Sequence, residues 1–178
     1  MTTVLINPDV QNKPLCADYL FADIKSALSE LFLSPKTQFL SQAMNVAKTY
    51  DISTPKDKLV LYSVSFLPSK INRELAYSFI LQYPQFVSLD HTPCGRKLIE
   101  LKLNRSEGGL TPNEITQIWD IASERLIQNA SGSVKAFVEG ANPQSTFCRI
   151  ELPNLLNNTE ITMINDEDKY IFASRILS

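Results

Sequence analysis

The run Leu59-Val60-Leu61-Tyr62 is the feature that most restricts how this chain can fold. It is short, continuous and apolar, with no polar residue inside it. Such a run is typical of a strand buried on both faces of a parallel sheet, because a half-exposed strand would alternate apolar and polar residues. A sheet of that kind needs helices against both faces, so the sequence predicts an α/β architecture.

Helical periodicity surrounds this run. In the segment 17–33, apolar residues recur at the three- and four-residue spacing of one buried helical face, and Ser34-Pro35 ends the pattern. The same spacing predicts a second helix over about 36–50. A third helix is predicted from beyond Pro68 to about Gln82, with inward-facing side chains at Leu75, Phe79 and Ile80.

A fourth helix, over about 112–130, has the clearest start signal. Thr111 is a suitable N-cap, Pro112 occupies the first helical position, and Glu114 completes a capping box. Three later segments have strand composition and are bounded by turn residues. Together with the first run, they predict strands at 59–64, 133–139, 160–164 and 170–174.

These elements predict an α/β fold in which an N-terminal helical lobe packs on a small, mostly parallel four-stranded sheet with helices. The helical lobe comprises 1–57 and 88–130, and the α/β lobe comprises 58–87 and 131–178. Ligands of parallel sheets bind at the carboxyl ends of the strands. The active site is therefore expected in the cleft between the two lobes.

Composition excludes several classes of function. The 178 residues carry 17 Lys and Arg against 19 Asp and Glu, so the net charge of -2 gives no basic surface for nucleic acid. One histidine and three scattered cysteines cannot form a structural zinc site of the CxxC type, and no metal is expected. The odd cysteine count also argues against a disulfide framework and favours synthesis in a reducing compartment.

No targeting or membrane signal is found in the sequence. The start lacks the basic residues and apolar stretch of a secretory signal, and no apolar run approaches the roughly 20 residues that span a bilayer. We expect a soluble protein without a membrane partner, made in the cytoplasm and open to later secretion or injection.

The common phosphate-binding and hydrolase fingerprints are missing. The five glycines lie where neither GxGxxG nor GxxxxGK[ST] can be written, and HExxH and GxSxG are absent. What remains is the polar loop 140–147 after a predicted strand, followed by Glu151 between apolar neighbours. Glu151 is a candidate functional acid. A capping or salt-bridged glutamate is the alternative explanation.

Trp119 also has two explanations. It lies on the apolar stripe of the fourth helix, where simple core packing is the plainer one. Ser123 lies one turn further along the same face. A hydroxyl beside the only tryptophan of the chain would also suit the wall of a polar-edged pocket.

Taken in order, these segments resemble the ADP-ribosyl cyclase / NAD glycohydrolase family. The similarity extends over about 57–165, and it is most specific where Ser-Thr-Phe is followed by Glu-Leu-Pro-Asn-Leu. It is weaker but collinear at 61–63 and 89–95. The segments that carry it are 61–63, 89–95, 118–123, 130–134, 139–143, 145–147 and 151–155.

The resemblance implies a role for each matching residue. Glu151 would be the catalytic glutamate, Trp119 and Tyr62 would hold the nicotinamide end of NAD, and Asp90 would recognise the nicotinamide carboxamide. The ribose-phosphate cradle would be formed by Ser123, Ser145, Thr146 and Phe147, with Ser63 beside Tyr62. Hydroxyls and main-chain N–H groups of the Ser145 loop could bind the pyrophosphate without arginine. His91 would assist at the nicotinamide end or be a solvated loop residue.

The implied reaction releases nicotinamide from NAD or NADP, which are substrates, and needs no cofactor. Positive charge develops on the ribose, and a carboxylate held against it can stabilise it. Nicotinamide leaves as a neutral molecule, so no catalytic histidine is required. The products would be ADP-ribose, cyclic ADP-ribose or both. The alternative is a catalytically inactive module that binds a nucleotide or a partner on the same scaffold.

Three departures from the family pattern shape this interpretation. Tyr62 replaces a tryptophan, and Asp90-His91 replaces Glu-Asp. The chain also lacks the cysteines of the family's disulfide-rich extracellular members. It therefore resembles a compact version suited to a bacterial toxin or injected effector, whose producer would need an immunity protein that fills the cleft.

Overall fold

The computed structural model describes residues 34–63, 71–103 and 109–177. The helix predicted over 17–33 lies outside the described residues. The described strands are β1 (Leu59–Tyr62), β2 (Gly132–Phe137), β3 (Ile161–Ile164) and β4 (Glu167–Asp168). The described α-helices are α1 (Pro35–Thr49), α2 (Ile71–Gln82), α3 (Pro93–Glu100), α4 (Pro112–Asn129), α5 (Leu152–Asn157) and α6 (Lys169–Leu177). The structure also contains a 3₁₀ turn (Leu89–His91) and a π-helix (Phe147–Glu151).

The four strands form one sheet in the order β1-β2-β3-β4. β1 pairs with β2 in parallel, with Leu59 opposite Val134, and β2 pairs with β3 in parallel. The short β4 is antiparallel to β3. The predicted α/β fold with a small, mostly parallel four-stranded sheet is confirmed.

Both faces of β1 are covered, as its apolar run predicts. Leu59 and Leu61 join the main core with residues of α1, α3 and α4. Val60 points to the opposite face and packs with Ala76 and Ile80 of α2. At β1 the sheet is therefore a central layer, with helices packed against each of its faces.

The helix starts follow from their capping residues. The Ser34 side chain accepts a hydrogen bond from the N–H of Thr37 and begins α1. At α4, the Thr111 hydroxyl accepts from the N–H of Glu114, and the Glu114 carboxylate accepts from the N–H of Thr111. The predicted capping box is confirmed, and it satisfies donors that the first helical turn leaves unpaired.

The prediction of a strand at 170–174 is wrong, because this segment lies in helix α6. The Asp168 side chain accepts hydrogen bonds from the N–H groups of Tyr170 and Ile171, so it caps the helix start. The apolar run was too short for its periodicity to distinguish a strand from a helix. The fourth strand lies just before it, at Glu167–Asp168.

The inward orientation predicted for Leu75 is also wrong. Asn72, Ala76 and Ile80 form the buried face of α2, at intervals of four residues, whereas Leu75 is half exposed. A small residue at Ala76 lets the helix approach the sheet closely, which turns Leu75 away from it. Phe79 is partly buried beside this face.

The main core draws on both of the predicted lobes, since Ala47 of α1 and Val134 of β2 belong to one cluster of buried residues. The division of the chain into two lobes stays a prediction. Within the described ranges, none of the helices combines the length and the apolar character that crossing a membrane would require.

Candidate active site

A cavity of about 460 Å³ opens at the carboxyl end of β1. Its volume lies within the range of about 300–1,000 Å³ that is usual for small-molecule sites. All of the predicted site residues except His91 line it. These are Tyr62, Ser63, Asp90, Trp119, Ser123, Ser145, Thr146, Phe147 and Glu151. We call this cavity the cleft.

Glu151 is the last residue of the π-helix, and the local sequence accounts for this unusual turn. Pro153 has no N–H to donate and cannot continue a regular helix across this point. The side-chain amide of Asn154 donates to the carbonyl of Ile150, at 2.8 Å, and satisfies this acceptor beside the proline. A π-helix is a wide turn that often occurs at functional sites, and here it turns Glu151 into the cleft wall.

The Glu151 carboxyl is buried, and its Oε2 has no hydrogen-bond partner among the described residues. Burial raises the pKa of Glu151 from an ordinary 4.5 to about 7. The negative charges of Asp120 and Asp90 act in the same direction, whereas hydrogen bonding to Ser123 lowers the pKa. An unpartnered buried oxygen is unfavourable by about 1–3 kcal/mol, and it can be relieved by a ligand that brings positive charge.

Helix α4 supplies one wall of the cleft. Ser123 is buried on this helix, and Trp119 is partly buried one turn earlier. Trp119 packs against the main core and also lines the cleft. Its position is therefore at the edge of the core, where a ring can present one side to a ligand.

Asp90 lies in the 3₁₀ turn before α3 and also lines the cleft. The hydroxyls of Tyr62 and Tyr77 both donate to its Oδ2, the former at 2.6 Å. Arg73 forms an ion pair with the same oxygen at 3.7 Å and donates to the Tyr77 hydroxyl at 2.9 Å. We call Asp90, Tyr62, Tyr77 and Arg73 the Asp90 cluster.

Gly95 holds this turn against α3. The Thr92 hydroxyl accepts from the N–H of Gly95 and donates to the carbonyl of Leu89. A Cβ atom at position 95 would lie 1.9 Å from the Leu89 oxygen and 3.0 Å from the Asp90 Cα. Only a glycine lets the helix approach the backbone that carries Asp90 so closely.

His91 does not line the cleft. Its Nδ1 is hydrogen bonded to the Ser88 hydroxyl at 2.8 Å, and its ring meets the Tyr77 ring edge-on at 5.5 Å between centroids. The structure therefore places His91 behind the Asp90 cluster, so that its ring contacts Tyr77 and not the cavity.

An ion pair between Arg149 and Asp120 joins the π-helix to α4, close to the end of the Ser145 loop (140–147). Arg149 donates to both carboxylate oxygens of Asp120, at 3.0 and 2.9 Å, and the Thr146 hydroxyl donates to the same carboxylate at 2.9 Å. The N–H groups of Gln144 and Ser145 bond to Asn142. Several donors that were expected to face a pyrophosphate are thus bonded within the protein.

The sequence did not indicate Arg73, Tyr77, Asp120 or Arg149. Arg73 and Arg149 both line the cleft, which differs from the expectation of a phosphate cradle without arginine. Asp120 follows Trp119 directly, and Arg73 and Tyr77 share one face of α2 at a spacing of four residues. These were the only signals for them, and each is also common on ordinary helix surfaces.

No protein-family model matches the chain, and no curated protein sequence matches it. Among solved structures, it is similar to an ADP-ribosyl cyclase complexed with N1-cIDPR, at 19% identity over 62% of this chain and 48% of that one, with a TM-score of 0.46. It is similar to Aplysia cyclase complexed with substrate NGD and product cGDPR, at 18% identity over 70% and 61%, with a TM-score of 0.47.

A third similar structure is porcine CD38 with a covalent intermediate, at 18% identity over 71% of this chain and 69% of that one, with a TM-score of 0.44. The chain spans 48% and 61% of the lengths of the two cyclases. At these identities and TM-scores, no activity follows from the similarity. The function of the chain therefore has to be inferred from the residues of its own cleft.

Proposed function

We propose that the protein cleaves the bond between nicotinamide and ribose in NAD or NADP. The observation that carries the proposal is the buried Glu151 carboxyl, whose Oε2 is unpartnered among the described residues and belongs to the cleft lining. A carboxylate in that position can stabilise the positive charge that develops on the ribose as nicotinamide leaves. The sequence resemblance to NAD glycohydrolases supports the same assignment.

The surroundings of Glu151 suit a substrate that carries a positive charge. Trp119 offers an aromatic ring to the pyridinium, and a cation over a tryptophan ring contributes roughly 0.5–2 kcal/mol. Asp90 and Asp120 add negative charge near the site. Arg149 lines the same cleft and is suited to contact the phosphates, since guanidinium groups bind phosphate oxygens.

The direct test is incubation of the purified protein with NAD and, separately, with NADP. Chromatography should detect free nicotinamide together with ADP-ribose or its cyclic form. Failure to release nicotinamide from either dinucleotide would contradict the proposal. Calorimetric binding of NAD without turnover would instead support the inactive binding module.

The pH dependence of this reaction follows from Glu151. The ionised carboxylate is the active form, so kcat/KM should fall about tenfold per pH unit below a midpoint near 7 and level off above it. Hydrogen bonding to Ser123 lowers the pKa of Glu151, so Ser123→Ala should move the midpoint to higher pH. Ser174→Ala on the exposed side of α6 is the matched control. An unchanged midpoint in Ser123→Ala would exclude Glu151 as the titrating group.

We extend the proposal to the biological role, which would be that of an NAD-depleting toxin or effector. Support comes from the three cysteines of the sequence, two of which, Cys94 and Cys148, are free thiols in the described residues. An enzyme that depletes NAD harms the cell that makes it. The producer would then need a small immunity protein, and the cleft is the surface that such a partner would fill.

A further inference from the structure

Every hydrogen bond and ion pair that the Asp90 side chain makes with the described residues involves the same oxygen, Oδ2. Its Oδ2 accepts from the hydroxyls of Tyr62 and Tyr77 and pairs with Arg73, whereas its Oδ1 has no partner in these ranges. Asp90 also lines the cleft. The carboxylate is therefore fixed from one side, and its second oxygen is available to a ligand.

The resemblance already implies that Asp90 would recognise the nicotinamide carboxamide. We propose in addition that Tyr77 and Arg73 are positioning residues, which fix the Asp90 carboxylate through Oδ2 and leave its Oδ1 to accept the amide N–H. This inference rests on the proposed function, in which nicotinamide supplies the amide. Tyr77 lies outside the cavity lining, and therefore it acts on the ligand through Asp90 and not by direct contact.

The two residues of α2 support each other. Arg73 and Tyr77 are one helical turn apart, and the guanidinium lies over the Tyr77 ring, 5.0 Å from its centroid. The Arg73 Nη2 also donates to the Tyr77 hydroxyl. That hydroxyl has one proton to donate, and because it already accepts from Arg73, the proton is directed to Asp90.

The electrostatic environment keeps both tyrosines as donors. Burial and the neighbouring Asp90 raise the pKa of Tyr62 and the pKa of Tyr77 above their ordinary values. Both hydroxyls therefore stay protonated at neutral pH. Because carboxylate oxygens only accept, a ligand with an N–H donor should bind at Asp90, and one with a carboxylate at the same place should be repelled.

Nicotinamide and nicotinic acid are the matched probes for this selectivity. In the wild-type protein, nicotinic acid should bind at least about tenfold more weakly than nicotinamide, because a carboxylate replaces the amide donor. Calorimetry, or inhibition of NAD cleavage, measures both affinities. Equal binding of the two probes would overturn the proposed acceptor role of Asp90.

Tyr77→Phe separates the positioning role from a purely structural one. It removes only the hydroxyl, so we expect about fivefold to tenfold higher KM for NAD and equally weakened nicotinamide binding, with kcat within about twofold of wild type. Arg73→Gln should change the same quantities in the same direction. Tyr83→Phe, at an exposed tyrosine outside the cleft, is the matched control and should leave them unchanged.

A double-mutant cycle tests whether Tyr77 acts on the ligand through Asp90. In an Asp90→Ala background, Tyr77→Phe should change KM by less than about twofold, since the acceptor through which Tyr77 acts is already absent. A full effect of Tyr77→Phe in that background, or a change in kcat and melting temperature without a change in KM, would overturn the inference. Wild type that releases no nicotinamide and binds none would instead reject the proposed function, and with it this inference.

Discussion

Replacing Glu151 with glutamine is expected to slow nicotinamide release by about a thousandfold or more. Glutamine has nearly the same shape but cannot carry the negative charge that stabilises the developing cation. Removal of one preorganised electrostatic contact typically slows catalysis by about 10²–10³, and a full buried charge acts more strongly than one neutral donor. Release of nicotinamide from NAD, followed by chromatography at pH 8, measures the loss.

The same substitution is expected to stabilise the folded protein at neutral and alkaline pH. Burial raises the pKa of Glu151 from 4.5 to about 7, so the folded state binds its proton more tightly than the unfolded state does. Stability from this group is fully present below pH 4.5 and is lost as the pH rises through about 7. The loss is on the order of 3 kcal/mol, and Glu151→Gln avoids it.

Urea unfolding at pH 4 and at pH 8 measures this effect. Glu151→Gln should be more stable than wild type at pH 8 and close to it at pH 4. Glu160→Gln, at an exposed glutamate, is the matched control and should change neither activity nor the pH dependence of stability. A variant that loses activity and is also less stable at pH 8 would mean that Glu151 is needed for folding rather than for charge.

The second large effect is expected from Gly95→Ala. The added Cβ would lie 1.9 Å from the carbonyl oxygen of Leu89 and 2.6 Å from its carbon. Both are backbone atoms and cannot move aside by a side-chain rotation. We expect a loss of about 3 kcal/mol in the free energy of unfolding, together with a raised KM for NAD, because the turn that carries Asp90 must shift.

Arg96→Ala is the control for this change, since Arg96 lies on the exposed side of the same helix and both substitutions introduce alanine. Urea unfolding and steady-state kinetics of the two variants give the comparison. If Gly95→Ala unfolds at the same urea concentration as Arg96→Ala, the turn and α3 are not packed as closely as described.

The fold was predicted where the sequence pattern was long or chemically specific. The buried run of β1 and the Thr111 capping box both led to the correct elements, because each requires one backbone arrangement. The strand prediction at 170–174 failed because four consecutive apolar residues suit either a strand or one side of a short helix. Asp168, just before it, was the signal that favoured a helix.

Most residues that line the candidate site were named from the order of short motifs, and their functional roles stay predictions. Glu151 and Trp119 were identified from their neighbours along the chain, and they line one cavity. The same order of motifs also predicted Tyr62 and Asp90, but it did not predict their contacts with Tyr77 and Arg73. Tyr62 and Asp90 are 28 residues apart, and their contact with Tyr77 depends on how α2 packs on the sheet. Periodicity predicts that a helix is present, but not which of its polar residues meets a distant turn.

The unpartnered Oε2 of Glu151 has a consequence for the thermodynamics of binding. With a pKa of about 7, about half of the Glu151 side chains carry a proton at neutral pH in the unliganded protein. A pyridinium ring close to the carboxyl would favour its ionised form. Uptake of the dinucleotide is then coupled to release of a fraction of a proton into the buffer, and its affinity increases as the solution becomes more alkaline.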